Sequence, residues 1–182
     1  MDTTYNFDNF FEHKTLDKIH GEPSATSLQK LFRQLGRNAR GVNSNLGGGQ
    51  YGHLFMILTP QEWNQLPGTA PVFPPQDPGD FALPGVVTAS QIAVAQKNHD
   101  EEKKKYHKFQ ALKRILCNQL VAAIEPAFLD PIRCDLTDMA NNEIPDIIAF
   151  LQQSYGKMTV QQKEEATTAV KNKNRLRPQP IY

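Results

Sequence analysis

The chain has 182 residues, 39% of them hydrophobic, and its 20 basic and 19 acidic side chains give a formal net charge of +1. This balance excludes a globally basic nucleic-acid binder and an acidic solvating tail. No apolar run approaches the roughly 18 residues of a membrane helix, and the acidic, aromatic N-terminus is not a signal peptide. The composition predicts a cytoplasmic protein of one domain, or of a small domain with appendages, and 13 Pro and 11 Gly predict irregular segments.

The first 23 residues form an arm that is rich in aromatic side chains. Phe7, Phe10 and Phe11 have i, i+3, i+4 spacing, so one helical turn would present them on a single face. The arm either packs on its own domain or docks on a neighbouring copy, because a short exposed aromatic segment requires a partner surface.

A first helix is predicted over residues 24–40, with Ser24 or Thr26 as its N-cap and Gly41 as its stop. Apolar residues recur along one face of it at helical spacing, namely Leu28, Leu31, Phe32, Leu35 and Ala39. Three basic side chains lie largely off that face and form either a solvated surface or an RNA contact: Arg33, Arg37 and Arg40.

Three consecutive glycines, Gly47 to Gly49, predict a loop in which the backbone turns freely or another group approaches closely. A Walker-type phosphate loop is disfavoured, because no Gly-Lys-Ser/Thr sequence follows these glycines. The apolar run over residues 54–58 is predicted to be a buried strand or an extended core segment, since it is too short for an independent helix.

Thr59, Pro60 and Glu62 supply the cap, the first position and the capping-box partner of a short helix that Trp63 would seal to the core. Prolines are so dense over residues 67–87 that helix and strand are both excluded, and an exposed, mobile linker is expected. This linker defines the expected domains, which are an N-terminal arm and small helical subdomain (1–66), the linker (67–87), a helical domain (88–172) and a disordered basic tail (173–182).

A long helix is predicted over residues 88–125, opened by a Thr88–Gln91 capping box and polar on every face over 97–105. Another helix begins near Pro145 and ends at Gly156. The two carry strong apolar stripes joined by a short connection, so we expect adjacent helices that share one core. The expected core or interface residues are Phe109, Leu112, Leu116, Leu120, Ile147, Ile148, Leu151 and Tyr155.

Beyond Gly156, a Thr159–Gln162 capping box predicts a last helix to about Asn172 with a thin apolar face. The remaining residues have no core pattern and are predicted to be disordered. Four basic residues in this region are candidates for weak, non-specific contact with RNA: Lys171, Lys173, Arg175 and Arg177.

The sequence contains no recognisable catalytic or metal-binding constellation. Cys117 and Cys134 have no second thiol nearby to form a zinc pair, the five histidines are scattered, and both thiols are expected to be reduced. No nucleophile elbow and no His-Glu-x-x-His motif occurs. We therefore expect no enzymatic activity, no cofactor, no metal ion and no small-molecule substrate.

Two blocks, residues 16–63 and 107–165, carry diffuse motifs in a characteristic order. These motifs are Gly21-Glu22-Pro23, Asn45 to Gly49 with Gly52-His53-Leu54, Leu58-Thr59-Pro60, and Leu151 with Tyr155-Gly156. Together they resemble the N-terminal, Gag-like part of polyproteins from copia-type LTR retrotransposons. The resemblance implies a helical, capsid-like bundle that forms homo-oligomeric particles around element RNA.

The family pattern continues into a second helical domain and often into a Cys-x-x-Cys zinc knuckle, neither of which this sequence contains, as in a truncated copy, an expressed fragment or a domesticated remnant. The competing interpretation is a helical protein–protein adaptor without a nucleic-acid role. Assembly into large species distinguishes the two interpretations.

Overall fold

The computed structural model describes residues 5–83, 85, 88–139 and 141–157. Its α-helices are α1 (Ala25–Gly41), α2 (Pro60–Gln65), α3 (Ala89–Ala122) and α4 (Ile144–Tyr155). Single turns of 3-10 helix lie between them, at Leu46–Gly48, Leu54–Met56, Pro126–Phe128 and Asp130–Ile132. No strand occurs within these described ranges, and the expectation of a mainly α fold is confirmed.

Helix starts coincide with the capping residues that the sequence indicates. Ser24 accepts a hydrogen bond from the Ser27 amide through its Oγ at 3.2 Å, and α1 follows. Thr59 Oγ1 accepts from the Glu62 amide at 3.2 Å, while Glu62 Oε2 accepts from the Thr59 amide at 2.8 Å. These reciprocal bonds satisfy amides that have no partner inside the helix, so the predicted caps are confirmed.

The apolar run over residues 54–58 is helical, and the prediction of a strand or extended segment is wrong. The Met56 amide donates to the His53 carbonyl at 3.0 Å, and the Ile57 amide donates to the Leu54 carbonyl at 3.1 Å. A strand would need a neighbouring strand for its backbone groups, whereas this turn satisfies them locally and packs against α1. Met56 and Ile57 are adjacent and both buried in the shared core.

The hydrophobic core draws on both sides of the proline-rich segment. α1 packs against α3 and against α4, and one cluster of buried side chains extends from Phe7 to Leu151. The expected division between residues 1–66 and 88–172 therefore does not separate two cores. The helices before and after the proline-rich segment bury their apolar faces against each other and form one packing unit.

The N-terminal arm, described here as residues 5–23, packs on its own chain. Phe7 is 3% exposed, and Phe11, Leu16 and Ile19 are buried with it in the shared core. Phe10, however, is 50% exposed. The expected single aromatic face is therefore wrong: the arm makes only one tight turn, in which the Phe10 amide bonds the Phe7 carbonyl at 2.8 Å.

Amide side chains from two helices hold the backbone of the arm. Asn38 of α1 is fully buried; its Oδ1 accepts from the His13 amide at 2.9 Å, and its Nδ2 donates to the His13 carbonyl at 2.6 Å. Gln119 of α3 accepts from Asn38 Nδ2 at 3.0 Å and donates to the Lys14 carbonyl at 3.1 Å. The arm has no strand or helix partners for these groups, so the two amides replace them.

The segment over residues 67–81, which we call the strap, is extended and largely exposed as expected, but contacts near both of its ends hold it against the rest of the chain. At its start, Trp63 Nε1 donates to the Ala70 carbonyl at 3.0 Å. At its end, His99 Nε2 lies 3.1 Å from the Gly79 carbonyl, and the rings of Phe81 and His99 meet edge to face at 5.4 Å. The strap therefore runs back along α3 in the opposite direction and does not serve as a spacer between two domains.

Candidate functional site

An open cleft of about 890 Å³ lies where three parts of the chain meet. One wall is the glycine-rich loop around Asn43 to Leu46, the second is the strap, and the third is α3 near Phe109. We call it the loop–strap cleft. Apolar clefts with a few polar groups are the usual form of binding sites.

The glycine-rich loop brings one wall close to the strap. Gly47 has a φ of +59°, and a Cβ at this position would lie 2.6 Å from the Trp63 ring and 2.9 Å from Val72. The Ala70 amide also donates to the Gly47 carbonyl at 3.1 Å. A glycine is required at residue 47 because both its backbone conformation and its contact with Trp63 exclude a side chain. The loop thus serves close packing, one of the two roles that its glycines predicted.

His53 lies at the floor of the cleft and is only 9% exposed. Its Nδ1 is 2.9 Å from the Val42 carbonyl, which can only accept, so Nδ1 carries the proton. The ring packs 5.6 Å from Phe55 and 6.5 Å from Phe109. Burial lowers the pKa of His53 below its ordinary value; the positive charge of Lys108 lowers it further, and the bond to Val42 opposes the shift. The imidazole is therefore neutral near pH 7, with Nε2 as an acceptor.

The strap contributes an exposed aromatic side chain to the opposite wall. Phe73 is 77% exposed although the segment on either side of it is tied down. Pro75 and Asp77 continue this wall toward α3. Because the strap already holds the Phe73 ring beside the cleft, the ring offers a flat apolar surface to a ligand. No loop has to become ordered around that ligand when it binds.

Charged side chains of both signs line the rim. Lys105 and Lys108 lie on neighbouring turns of α3, and Glu102 precedes them by one turn. Asp77 faces the same cleft from the strap, where its Oδ1 accepts from the Gly79 amide at 3.0 Å. The rim therefore carries two cations and two carboxylates, and the cleft has no net charge.

The three arginines of α1 share one exposed helix face, but two of them have partners in the same chain. Arg37 Nη1 lies 2.7 Å from Glu12 Oε1 of the arm. The Arg40 guanidinium lies 5.7 Å from the centre of the Tyr51 ring. Arg33 lines a shallow groove between α1 and the end of α4. Two of the three expected RNA contacts are thus engaged within the described chain.

The expected core or interface residues lie together at the packing of α3 on the rest of the bundle. Five of them are buried: Leu112, Leu116, Leu120, Ile147 and Leu151. Three are partly buried against the same cluster: Phe109, Ile148 and Tyr155. Phe109 is also part of the cleft, so one side chain serves both the core and the candidate site.

Several predictions fall on residues that the structure does not describe. The last helix over 159–172, the tail over 173–182 and the basic residues Lys171, Lys173, Arg175 and Arg177 all lie outside the described residues.

Both cysteines are free thiols. Cys117 is half-buried, and burial raises the pKa of its thiol. Cys134 is exposed, and hydrogen bonds, first that from the Thr137 hydroxyl, lower the pKa of its thiol. Within the described ranges, no group of three or more His, Cys, Asp and Glu side chains is placed to hold a metal ion.

Sequence reasoning missed the cleft, and with it the positions of His53 and Phe73 in its walls. His53 stood out as one of several scattered histidines and as part of the Gly52-His53-Leu54 motif, and Phe73 lay among prolines that indicated a linker. The one usable signal was the glycine run, which indicated close approach of another group without indicating which one.

No helix within the described residues is both long and apolar enough to cross a membrane. No protein-family model, no curated protein and no solved structure matches this chain.

Proposed function

We propose that this chain is a structural, capsid-like protein of the kind found in the Gag-like region of copia-type retrotransposons, which assembles with copies of itself around RNA. The two sequence blocks, in their characteristic order, support this proposal. In this role the chain acts in the cytoplasm through its surfaces and catalyses no reaction.

The observation that carries the proposal is the projecting half of α3, residues 89–108. The helix has 34 residues, so it is about 51 Å long at 1.5 Å per residue. All of its fully buried residues, Leu112, Leu116 and Leu120, lie in the second half. Beside the first half lie the strap, the glycine-rich loop across the cleft, and Tyr5 of the arm, whose hydroxyl donates to the Lys104 carbonyl at 3.2 Å. This half buries none of its side chains fully and is polar on most faces.

A helix of this kind supports an interface role. A helical stretch without an apolar face of its own is marginal in water, unless it bridges between packed bodies. Val94 is exposed on this half, and Leu83 is exposed on the chain that leads into it. These two side chains offer apolar contacts at a position where a neighbouring copy would find no steric obstruction from the bundle core.

The RNA part of the proposal rests on weak electrostatics. The basic residues of the C-terminal region and Arg33 can neutralise only a few phosphates. We expect a dissociation constant of about 10⁻⁴–10⁻⁶ M per chain at physiological salt, and tight binding only through many copies in one particle.

Assembly is tested by light scattering on a size-exclusion column and by electron microscopy, with and without RNA. Val94→Asp should reduce large species because it places a charge on the projecting half of α3. Leu136→Asp is the matched control, since Leu136 is 94% exposed on a separate hairpin. Loss of assembly only with Leu136→Asp would move the interface to that hairpin.

RNA binding is tested with the full chain and with a chain ending at Val170, across a series of salt concentrations. Weaker binding by the shorter chain supports the C-terminal basic residues, and equal binding moves the RNA contact to the arginine face of α1. A strictly monomeric protein without RNA binding would contradict the proposed function and favour the adaptor interpretation.

A further inference from the structure

The two aromatic walls of the loop–strap cleft come from elements that are far apart in sequence. Phe73 stands 77% exposed on the strap, and Phe109 of α3 is half-buried across the same space. Exposed aromatic rings bind single-stranded nucleic acids by stacking on the bases, because every base has a flat π surface. The cleft volume of about 890 Å³ leaves room for a base and part of its sugar.

The buried histidine at the floor lacks one hydrogen-bond partner. His53 Nδ1 donates to the Val42 carbonyl at 2.9 Å, so Nε2 holds a lone pair. Within the described residues, no group bonds Nε2, and this atom is open to the cleft rather than fully enclosed. A ligand in the cleft can therefore supply a donor to Nε2 in place of water. The exocyclic amino group of a base is a donor of this kind.

The rim completes the match to a nucleotide. Lys105 and Lys108 suit a phosphate, while Asn43 and the carboxylate of Glu102 suit the amino and imino edge of a base. We infer that the loop–strap cleft binds one base of single-stranded RNA, stacked between Phe73 and Phe109, with its sugar–phosphate at the two lysines. This inference rests on the proposed function, which names RNA as the partner. The position of the bound base and the groups that contact it are inferred from the residues of the cleft.

The charge of the rim sets the strength and the selectivity of this site. Two lysines face two carboxylates, so stacking contributes more than phosphate attraction, and the slope of log affinity against log salt is at most about −1.4 for two phosphates. Every base offers an amino or imino N–H to His53 Nε2, so the selectivity of the site comes from stacking, in which the larger ring of adenine covers more of Phe73 than that of uracil does. Oligo(A) therefore binds more tightly than oligo(U).

The first test uses the full chain and fluorescent single-stranded RNA octamers of A or of U. Phe73→Ala removes one stacking wall, and since this side chain is exposed, the fold is expected to persist. It should weaken binding of oligo(A) by about tenfold. Leu136→Ala is the control, because Leu136 is also exposed, at 94%, but does not line the cleft; it should leave affinity unchanged.

The second test separates phosphate contact from general charge. Lys105→Gln should weaken oligo(A) binding and make its salt slope shallower. Lys97→Gln, on the same helix but away from the cleft, should do neither. Equal effects of the two substitutions would mean that α3 attracts RNA without a defined site, and would overturn the inference.

A direct measurement is independent of assembly. Addition of AMP to the full chain labelled at histidine should shift the NMR signal of the His53 ring, UMP should shift it less, and Phe73→Ala should abolish the difference. RNA-driven particles that form normally with Phe73→Ala, without any effect of AMP on His53, would overturn the cleft site and leave the proposed function intact. An AMP-dependent shift in a protein that never assembles would support the cleft site and contradict the proposed function.

Discussion

The arm (residues 5–23) and the strap (67–81) have the same local character but different roles. Neither contains an α-helix, and both lie against α3. The arm places Phe7 and Phe11 in the core and has its backbone bonded by Asn38 and Gln119. The strap leaves Phe73 exposed and has cavities on both of its sides. An irregular segment is thus part of the core only where apolar side chains and backbone partners are both provided.

The largest expected effect on stability comes from removing a buried side chain of the arm, compared with removing an exposed side chain of the strap. Phe7→Ala should lower the free energy of unfolding by about 3–5 kcal/mol, because it removes a buried ring and leaves a cavity. Phe73→Ala should change it by no more than about 0.5 kcal/mol. Urea denaturation of both variants measures the difference, with Phe10→Ala as a half-exposed control within the arm. Equal losses for Phe7 and Phe73 would show that the comparison is wrong.

The helices and their starts could be predicted from the sequence because these features are local. A capping box needs residues three positions apart, and an apolar stripe needs only one turn to repeat, so Ser24 and Thr59 indicated two helix starts correctly. The run at 54–58 failed because a continuous apolar stretch has no period. Whether it becomes a strand depends on a neighbouring strand, which the described chain does not provide.

The site and the path of the arm depend on contacts between residues far apart in sequence. In the sequence, Asn38 is an ordinary polar residue near the end of a helix, and only the fold places the backbone of His13 beside it. In the sequence, Phe73 belongs to a predicted linker. In the structure, the Trp63–Ala70 hydrogen bond and the contact of Phe81 with His99 of α3 hold the strap in place on either side of it. Local patterns carry no information on such pairs.

A second experiment removes the backbone partners of the arm while retaining its apolar side chains. Asn38→Ala leaves the amide and the carbonyl of His13 without their partners in a buried position. We expect a loss of about 1–3 kcal/mol in the free energy of unfolding. Gln29→Ala, on the exposed face of the same helix, should have an effect near zero. A neutral Asn38→Ala would mean that side-chain burial alone holds the arm.

A smaller effect is expected at the start of the strap. Trp63→Phe keeps an aromatic ring over Gly47 but removes the hydrogen bond to the Ala70 carbonyl. The expected loss is about 0.5–1.5 kcal/mol. Digestion with a protease of broad specificity should cut residues 67–83 before the arm, and faster in this variant. Cleavage that begins within residues 5–19 in both proteins would reverse the order of protection that the comparison implies.

The smallest effect concerns the titration of His53, at the floor of the cleft that the strap leaves open. Burial holds its pKa in the folded protein below the ordinary value of 6.5, whereas the unfolded chain has the ordinary value. In the window between these two pKa values the unfolded state binds more protons than the folded state, so the free energy of unfolding rises with pH. The contribution of His53 to stability is therefore present above about pH 6.5 and is lost as the pH falls through the window.

Two measurements check this window. The NMR titration of the His53 ring should give a midpoint below 6.5, and urea midpoints should fall as the pH is lowered through the same range. His53→Gln keeps a donor for the Val42 carbonyl without a titrating group, so its stability should depend less on pH than that of the native chain. A ring with the ordinary pKa of about 6.5 would mean that water reaches His53 freely. The cleft floor would then be solvated, and the strap would be even more loosely packed than its contacts imply.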